Sequence, residues 1–543
     1  MKKFISISLS IFFLFIGLLL TSCGDGTTTT QTSIYQSDNI TTDLKLVKAT
    51  GKSLTFDITI NDKKSEITKN SVQVIVYDDE YVQKGSSVAT LTKEEGSTVS
   101  TQSGLRIDNL NPNREYICRV ECTVGEESAI LLSKTYSTNN KGIDAENPII
   151  INTREELLEM TKAPDAFYQL GQDIDLANVA FDPLFKSTQV TSNMFTGSFD
   201  GAGHKIKNLK QAGAQQDYGL FGYLSAGSKV SNLTIEGLTI ETTRYSDTYV
   251  GAIAGRAEID SEISQVNVTG ASVSVINSAT NKTFYIGGLV GENKGCDIIN
   301  SSFSGLINAT PSKGIYIGGI CGILDSAKVT NTYATVDLKV TQKSTTKTSL
   351  TEEEELFQFV GGFVGLANSS AYIKSCAVKG SISSVFETAY NTQEELDKIN
   401  TDHNVIIGGF VGCSYGYISD VAASNDISLQ SPDAYLVNFG LLAGMLKSKD
   451  SVLEKAYYNG ANKTVSMKLS ADDGLTIPEE QVPTYTRIFN VGVVGRKTSD
   501  LIVPSYAVSA PSVSISASVT SYNFEPTLAN TDGISQNVLT YVA

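Results

Sequence analysis

The sequence has no tryptophan, only two histidines and only five methionines in 543 residues. With His204 and His403 alone, and neither in an H-E-x-x-H helix, a zinc-protease centre has no ligands to assemble from. A Ser-His-Asp triad would have to borrow one of the two, and no G-x-S-x-G elbow accompanies them. His204 ends a turn motif and reads as structural. No CxxC pair and no Cys/His metal spacing occurs, and nothing in the chain calls for a cofactor. Positive charge is short as well. Lys and Arg total 42 against 58 Asp and Glu, a net charge of −16, which disfavours nucleic acid and bare anionic bilayers as partners. Long apolar runs are missing everywhere but at the start.

That first run, Phe4 to Leu20, carries no charge and follows Lys2 and Lys3. It is shorter than the roughly 20 residues a spanning helix needs, and no basic stop-transfer follows, so it reads as the h-region of an export signal. It ends in Leu20-Thr21-Ser22-Cys23, which resembles a lipobox. The expectation is a lipoprotein signal peptide over 1–22, removed before Cys23, whose sulfur takes the diacylglycerol. The membrane is then a partner through a lipid anchor. Cleavage would remove two lysines and no acid and take the net charge from −16 to −18. Residues 23–42 are rich in Gly, Thr, Ser, Gln and Asn and read as a flexible tether with a reach of about 24 Å.

Six cysteines remain besides Cys23. Cys118 and Cys122 lie four apart in one strand pattern, about 13 Å between Cα atoms and too far to be joined. Cys321 stands where sister repeats have Val290, Val364 and Val411, which fits a buried thiol used as a small hydrophobe.

The wealth of Ser, Thr, Gly, Val and Ile points to an all-β chain. In residues 43–140, Leu54, Phe56, Ile58 and Ile60 alternate with Thr55, Asp57 and Thr59. Val72, Val74 and Val76 repeat the alternation, as do Tyr116, Cys118, Val120 and Cys122. Short period-two runs split by turns predict antiparallel strands in a β-sandwich. Leu110-Asn111-Pro112-Asn113-Arg114-Glu115-Tyr116 resembles the turn into strand F of fibronectin type III domains, with Arg114 where Thr is usual and the core Trp missing. The resemblance implies a spacer module.

From 143 to 496 the chain repeats. Asn152-Thr153-Arg154-Glu155-Glu156-Leu157-Leu158 first predicts a short helix, with Thr153 capping it and Glu156 reaching back. Phe199-Asp200-Gly201-Ala202-Gly203-His204 carries a tight-turn signal. A glycine knot then recurs as Gly219-Leu-Phe-Gly222, Gly251-Ala-Ile-Ala-Gly255, Gly287-Gly-Leu-Val-Gly291, Gly318-Gly-Ile-Cys-Gly322, Gly361-Gly-Phe-Val-Gly365, Gly408-Gly-Phe-Val-Gly412, Gly440-Leu-Leu-Ala-Gly444 and Gly492-Val-Val-Gly495. The final glycines lie 33, 36, 31, 43, 47, 32 and 51 residues apart. Second blocks follow, as in Val230-Ser-Asn-Leu-Thr-Ile-Glu-Gly237 and Ile263-Ser-Gln-Val-Asn-Val-Thr-Gly270. Two short strands per period predict a right-handed parallel β-helix (a solenoid), with a propeller of four-stranded blades as its rival.

These knots and blocks resemble the GLUG motif, and 143–496 looks like the β-helical segments built from it, including those in N-terminal parts of IgA-protease-type metallopeptidases. The resemblance implies an adhesin-like protein on the cell surface. Polar stretches 341–357, 384–404 and 461–487, with the acidic run Glu352 to Glu355, are expected as projecting loops. Residues 497–543 lose the knots and are expected as a cap or tail.

Tyr249, Tyr285, Tyr316 and Phe359 each stand two residues before a knot. Outward, such a column offers a platform to sugars; inward, it is core, the favoured expectation because buried parallel strands read as continuous apolar runs. Asp173 and Asp175 share one strand face and could offer oxygen to Ca²⁺; on so acidic a chain they read first as turn-flanking residues. The expected function is a non-enzymatic, outer-membrane lipoprotein that binds glycans or extracellular proteins. A β-helical polysaccharide lyase or glycosidase is the alternative, and a structural surface layer stands third.

Overall fold

The computed structural model describes residues 33–186, 194–244, 246–277, 282–344, 356–388, 403–430, 436–448, 450–460, 463–468, 488–497, 521–524, 531 and 533–543. The signal segment, Cys23 and Glu352 to Glu355 lie outside them. Among the described residues no helix is long and apolar enough to cross a membrane. The chain divides into two compact units, Met1–Asn139 and Asn140–Ala543.

In the first unit, one four-stranded antiparallel sheet runs Ile40–Ala49, Leu54–Asp62, Val99–Ile107, Thr92–Lys93. The other runs Gln83–Val88, Gln73–Tyr77, Glu115–Val124, Glu127–Ser137. Alternation puts Phe56, Ile58 and Ile60 of one sheet and Val74, Val76, Cys118 and Val120 of the other in one shared core, the packing of a β-sandwich. Folded structure starts earlier than the expected tether end. The Tyr35 N–H donates to the Ile130 carbonyl, and Ile40 is buried in the core, so the tether stops short of 42. The Asn111–Tyr116 turn closes through the Tyr116 hydroxyl, which accepts the Asn111 N–H at 2.8 Å. Thr138 Oγ1 donates to the Asn111 carbonyl at 2.6 Å, and Asn113 takes the left-handed conformation the turn requires.

The second unit opens with strand Ile149–Ile151 and the helix Arg154–Glu159. Thr153 Oγ1 accepts the Glu156 N–H at 3.2 Å, and Glu156 Oε2 accepts the Asn152 N–H at 2.7 Å. Leu157 and Met160 are fully buried.

Thereafter each repeat pairs in parallel, in register, with the next. Ser198–Asp200, Lys205–Lys207, Lys210–Ala212, Asp217–Tyr218 and Phe221–Leu224 pair with Lys229–Ser231, Thr234–Glu236, Thr239–Arg244, Thr248–Val250 and Ala254–Ala257. Register stacks like on like. Phe199, Val230, Ile263, Ile298, Val329, Ile373, Ile418 and Leu453 form one buried column. Val290, Cys321, Val364 and Val411 form another, the place expected for the Cys321 thiol. Parallel pairing between repeats is not the antiparallel pattern of propeller blades.

Each block also bends at a left-handed residue: Asn232, Gln265, Asn300, Asn331, Ser375, Asp420 and Lys455. Backbone N–H groups at the bend bond to the next repeat, Asn232 to the Ser264 carbonyl at 3.1 Å and Asn300 to Thr330 at 3.0 Å. Asn tolerates this conformation best among non-glycine residues.

Several expectations shift. The tight turn expected at Asp200-Gly201 is present but centred on the left-handed pair Ala202-Gly203, with the His204 N–H donating to the Gly201 carbonyl at 2.8 Å, and its flanking strands pair with neighbouring repeats. Strands Tyr333–Ser344 and Tyr372–Thr388 run into stretches expected as loops, because each residue there finds a register partner in the adjacent repeat. Of the tail, Ser521–Phe524 pairs antiparallel with Val465–Lys468 and ends the parallel series there. Helix Gln536–Val542 packs on Tyr333, Ala377, Ala422 and Tyr457, flanking four repeats rather than covering the last.

Candidate binding face

Tyr249, Tyr285, Tyr316 and Phe359 occupy one register column. Their neighbours Val250, Ile286, Ile317 and Val360 are fully buried, whereas the four rings are half-buried. The column therefore points outward, correcting the expectation of an inward one. Both parities of these strands are apolar, so alternation gave no warning. The inward aromatic stack lies in the knots themselves, where the fully buried Phe363 and Phe410 stack at 4.7 Å and 10°.

The outward rings stack on one another. Tyr249 and Tyr285 are 4.6 Å apart at 11°, Tyr285 and Tyr316 5.4 Å at 19°, Tyr316 and Phe359 5.1 Å at 20°. Near-parallel stacking commits the faces to each other and leaves edges and hydroxyls for anything outside. The ladder is thus not the open-faced sugar platform anticipated.

The knots bring the strand after each bend close to the ladder strand. A methyl on Gly291 would lie 2.6 Å from the Tyr285 carbonyl oxygen, and one on Gly322 2.8 Å from that of Tyr316. Only glycine permits this approach. The residues directly after the final glycines, Arg256, Glu292, Ile323 and Leu366, form the facing column. Ladder and facing column lie side by side on one outward face and pack against each other, Arg256 on Tyr249 at one end and Leu366 with Phe359 at the other.

At its head, Arg256 donates from Nε and Nη2 to both carboxylate oxygens of buried Asp217, at 2.8 and 3.1 Å. Its guanidinium sits 4.4 Å from the Tyr249 ring centroid and 5.4 Å from that of Tyr223, a desolvated cation–π arrangement. The Tyr223 hydroxyl donates to Glu258 at 2.5 Å. Burial, then the Glu292 carboxylate, raises the Tyr249 phenol above its usual range. Tyr285 is raised more strongly, by burial and then by its two tyrosine neighbours. Toward the other end Ile406, Cys413 and Met445 are buried with Phe359, Leu366 and Tyr415 packed against them.

Residues 139–270 match the family model of the M26 IgA1-specific metallo-endopeptidase N-terminal region. The match covers well under half of the chain and concerns an N-terminal region, so it does not establish peptidase activity. The chain is also 24% identical over 291 residues to halomucin of Haloquadratum walsbyi, spanning 50% of this chain and 3% of that protein.

The remaining candidates lie elsewhere. Asp173 and Asp175 flank buried Ile174 on one exposed face. Asp173 accepts the Lys205 N–H at 3.0 Å, pairs with Lys207 Nζ at 2.8 Å and lies 3.5 Å from His204 Nδ1. Asp175 accepts from Ala177 N–H and Asn208 Nδ2, both at 2.8 Å. These donors, the Lys207 ammonium first for Asp173 and the Asn208 amide first for Asp175, hold both carboxyls below their ordinary range. They tie adjacent repeats together. Among the described residues no group of three or more His, Cys, Asp or Glu is placed to hold a metal. His403 begins strand His403–Gly408, far along the chain from His204. Cys118, Cys122, Cys296, Cys321, Cys376 and Cys413 are all free and buried. Sequence reading missed Arg256 and Glu292, though the position after each final glycine was visible once the knots were aligned.

Proposed function

We propose that this chain is a lipid-anchored outer-membrane protein, displayed on the cell surface, that binds glycans or extracellular proteins through its repeat unit. We read that unit as a right-handed parallel β-helix of GLUG-type repeats. The first unit reads as a fibronectin type III-like spacer, supported by the Tyr116 hydroxyl closing its corner at 2.8 Å. In-register parallel pairing at repeat intervals supports the helix. The lipobox Leu20-Thr21-Ser22-Cys23 supports the anchor, and a surface setting suits the halomucin similarity.

The outward aromatic ladder with its facing column carries the binding reading. Four successive repeats keep large rings outside the core, where burial of apolar surface gives less stability than inside. Protease shaving of intact cells tests display. Glycan and matrix-protein arrays probed with the Cys23→Ser protein test binding, and silence on both arrays refutes it. The engaged carboxylates of Asp173 and Asp175 give the lyase or glycosidase reading no support.

A further inference from the structure

We infer that the outward face formed by the ladder Tyr249–Tyr285–Tyr316–Phe359 and the neighbouring column Arg256–Glu292–Ile323 binds a neutral linear glycan. The glycan lies along the succession of repeats and is bound edge-on through the phenol hydroxyls, not stacked on the rings. This rests on the binding reading above and names its site and ligand class.

Five observations narrow the occupant. The ring faces are taken, with centroids 4.6 to 5.4 Å apart, so a ligand meets edges and hydroxyl groups. Burial keeps the Tyr249 and Tyr285 phenols protonated, and among the described residues neither hydroxyl has a hydrogen-bond partner. Each can both donate and accept, which suits the hydroxyl and ether oxygens of sugars.

The strand backbones are spoken for. Thr283–Gly287 is paired with Thr248–Val250 on one side and Gly314–Gly318 on the other. An extended polypeptide therefore finds no free edge to add to. The charges are balanced too: Arg256 is held bidentately by Asp217, and Glu292 meets Lys294 at 3.2 Å. A charged ligand gains no uncompensated counter-charge from Arg256 or Glu292 on this face, and the chain's net charge of −16 opposes polyanions. The ladder also repeats once per strand spacing, about 4.8 Å. A linear sugar chain, whose hydroxyls recur at a comparable interval, can engage one phenol after another.

The test uses the full Cys23→Ser chain and isothermal titration calorimetry. Probes are the neutral hexasaccharides of β-1,4-glucan, β-1,3-glucan and β-1,4-mannan, their disaccharides, a heparin octasaccharide, and gelatin. The variant Tyr249→Phe/Tyr285→Phe/Tyr316→Phe keeps the stacking, as Phe359 already does, and removes only the hydroxyls. Circular dichroism checks its fold. The expected result is that a neutral hexamer binds at least tenfold tighter than its dimer, and that the triple variant weakens it by about tenfold or more. Hexamer binding unchanged in the triple variant overturns this site while the binding function stands. Binding of heparin or gelatin without any neutral hexamer overturns the ligand class but leaves that function standing. No binding to any probe counts against both.

Discussion

Replacing Gly287 by alanine isolates what the glycine knots do. Gly287 has no positive φ, so backbone strain is not at issue. The added methyl would fall well inside contact with the carbonyl oxygens of Val290 and Ile320 and 2.7 Å from the Cys321 Cα. All three are backbone, the last two in the next repeat, and Gly287 itself is in register with Gly318. Overpacking a core ordinarily costs 1–3 kcal/mol. Here no flexible side chain can yield, so a loss of about 3 kcal/mol or more is expected. Gly213→Ala is the control. Gly213 has φ +88 with nothing within 4 Å of its methyl, so it should lose only about 1 kcal/mol of left-handed strain. Urea unfolding of the Cys23→Ser protein, followed by circular dichroism, compares the two. If Gly287→Ala unfolds no earlier than Gly213→Ala, close approach of backbones is not why the knots contain glycine.

Other substitutions probe separate elements. Tyr116→Phe removes the acceptor of the Asn111 N–H and should cost about 1–2 kcal/mol in urea melts of the first unit; an unchanged midpoint would show the corner is closed by packing alone. Asp217→Asn strands the Arg256 guanidinium and should cost about 3 kcal/mol, and adding Arg256→Gln should recover part of it; additive losses would mean the pair is not coupled. Burial pushes the thiols of Cys118, Cys376 and Cys413 up to about 12, so iodoacetamide at pH 8 should leave them unlabelled in the native protein and label them in urea. Native labelling at any of the three would contradict the burial. Lys134 beside Asp43, Lys207 beside Asp173 and Lys205 beside Glu236 hold those carboxyls below their ordinary values. Their small stabilisation is full above about pH 4 and lost as pH falls through the lowered values. Urea midpoints at pH 7 and pH 3 should therefore converge in an Asp43→Asn/Asp173→Asn variant.

The repeats were legible because the same residue types must meet at every register step, and glycine is forced wherever backbones nearly touch. The knots, the Thr153–Glu156 cap and the place of Cys321 could be read for that reason. The block Ile418-Ser-Asp-Val-Ala-Ala-Ser-Asn425 continues the column between Ile373 and Leu453 with Asp420 at its left-handed bend. Ladder orientation was not legible, since apolar residues on both faces of a strand erase the signal that alternation provides. Nor was the pairing of the ladder with its neighbouring column, because the two lie on strands either side of a bend, and only the backbone geometry of that bend brings Arg256 onto Tyr249.

The C-terminal helix has a mechanical consequence. In a structure where each repeat touches only its neighbours, loss begins at an end and travels one step at a time. Gln536–Val542 grips residues from four steps at once: Ala377, Ala422 and Tyr457 beneath it, and Thr335, whose hydroxyl meets that of Tyr541 at 2.7 Å. Peeling the step that carries Tyr457 must therefore dislodge the helix from the other three, which turns gradual unzipping there into a single larger barrier.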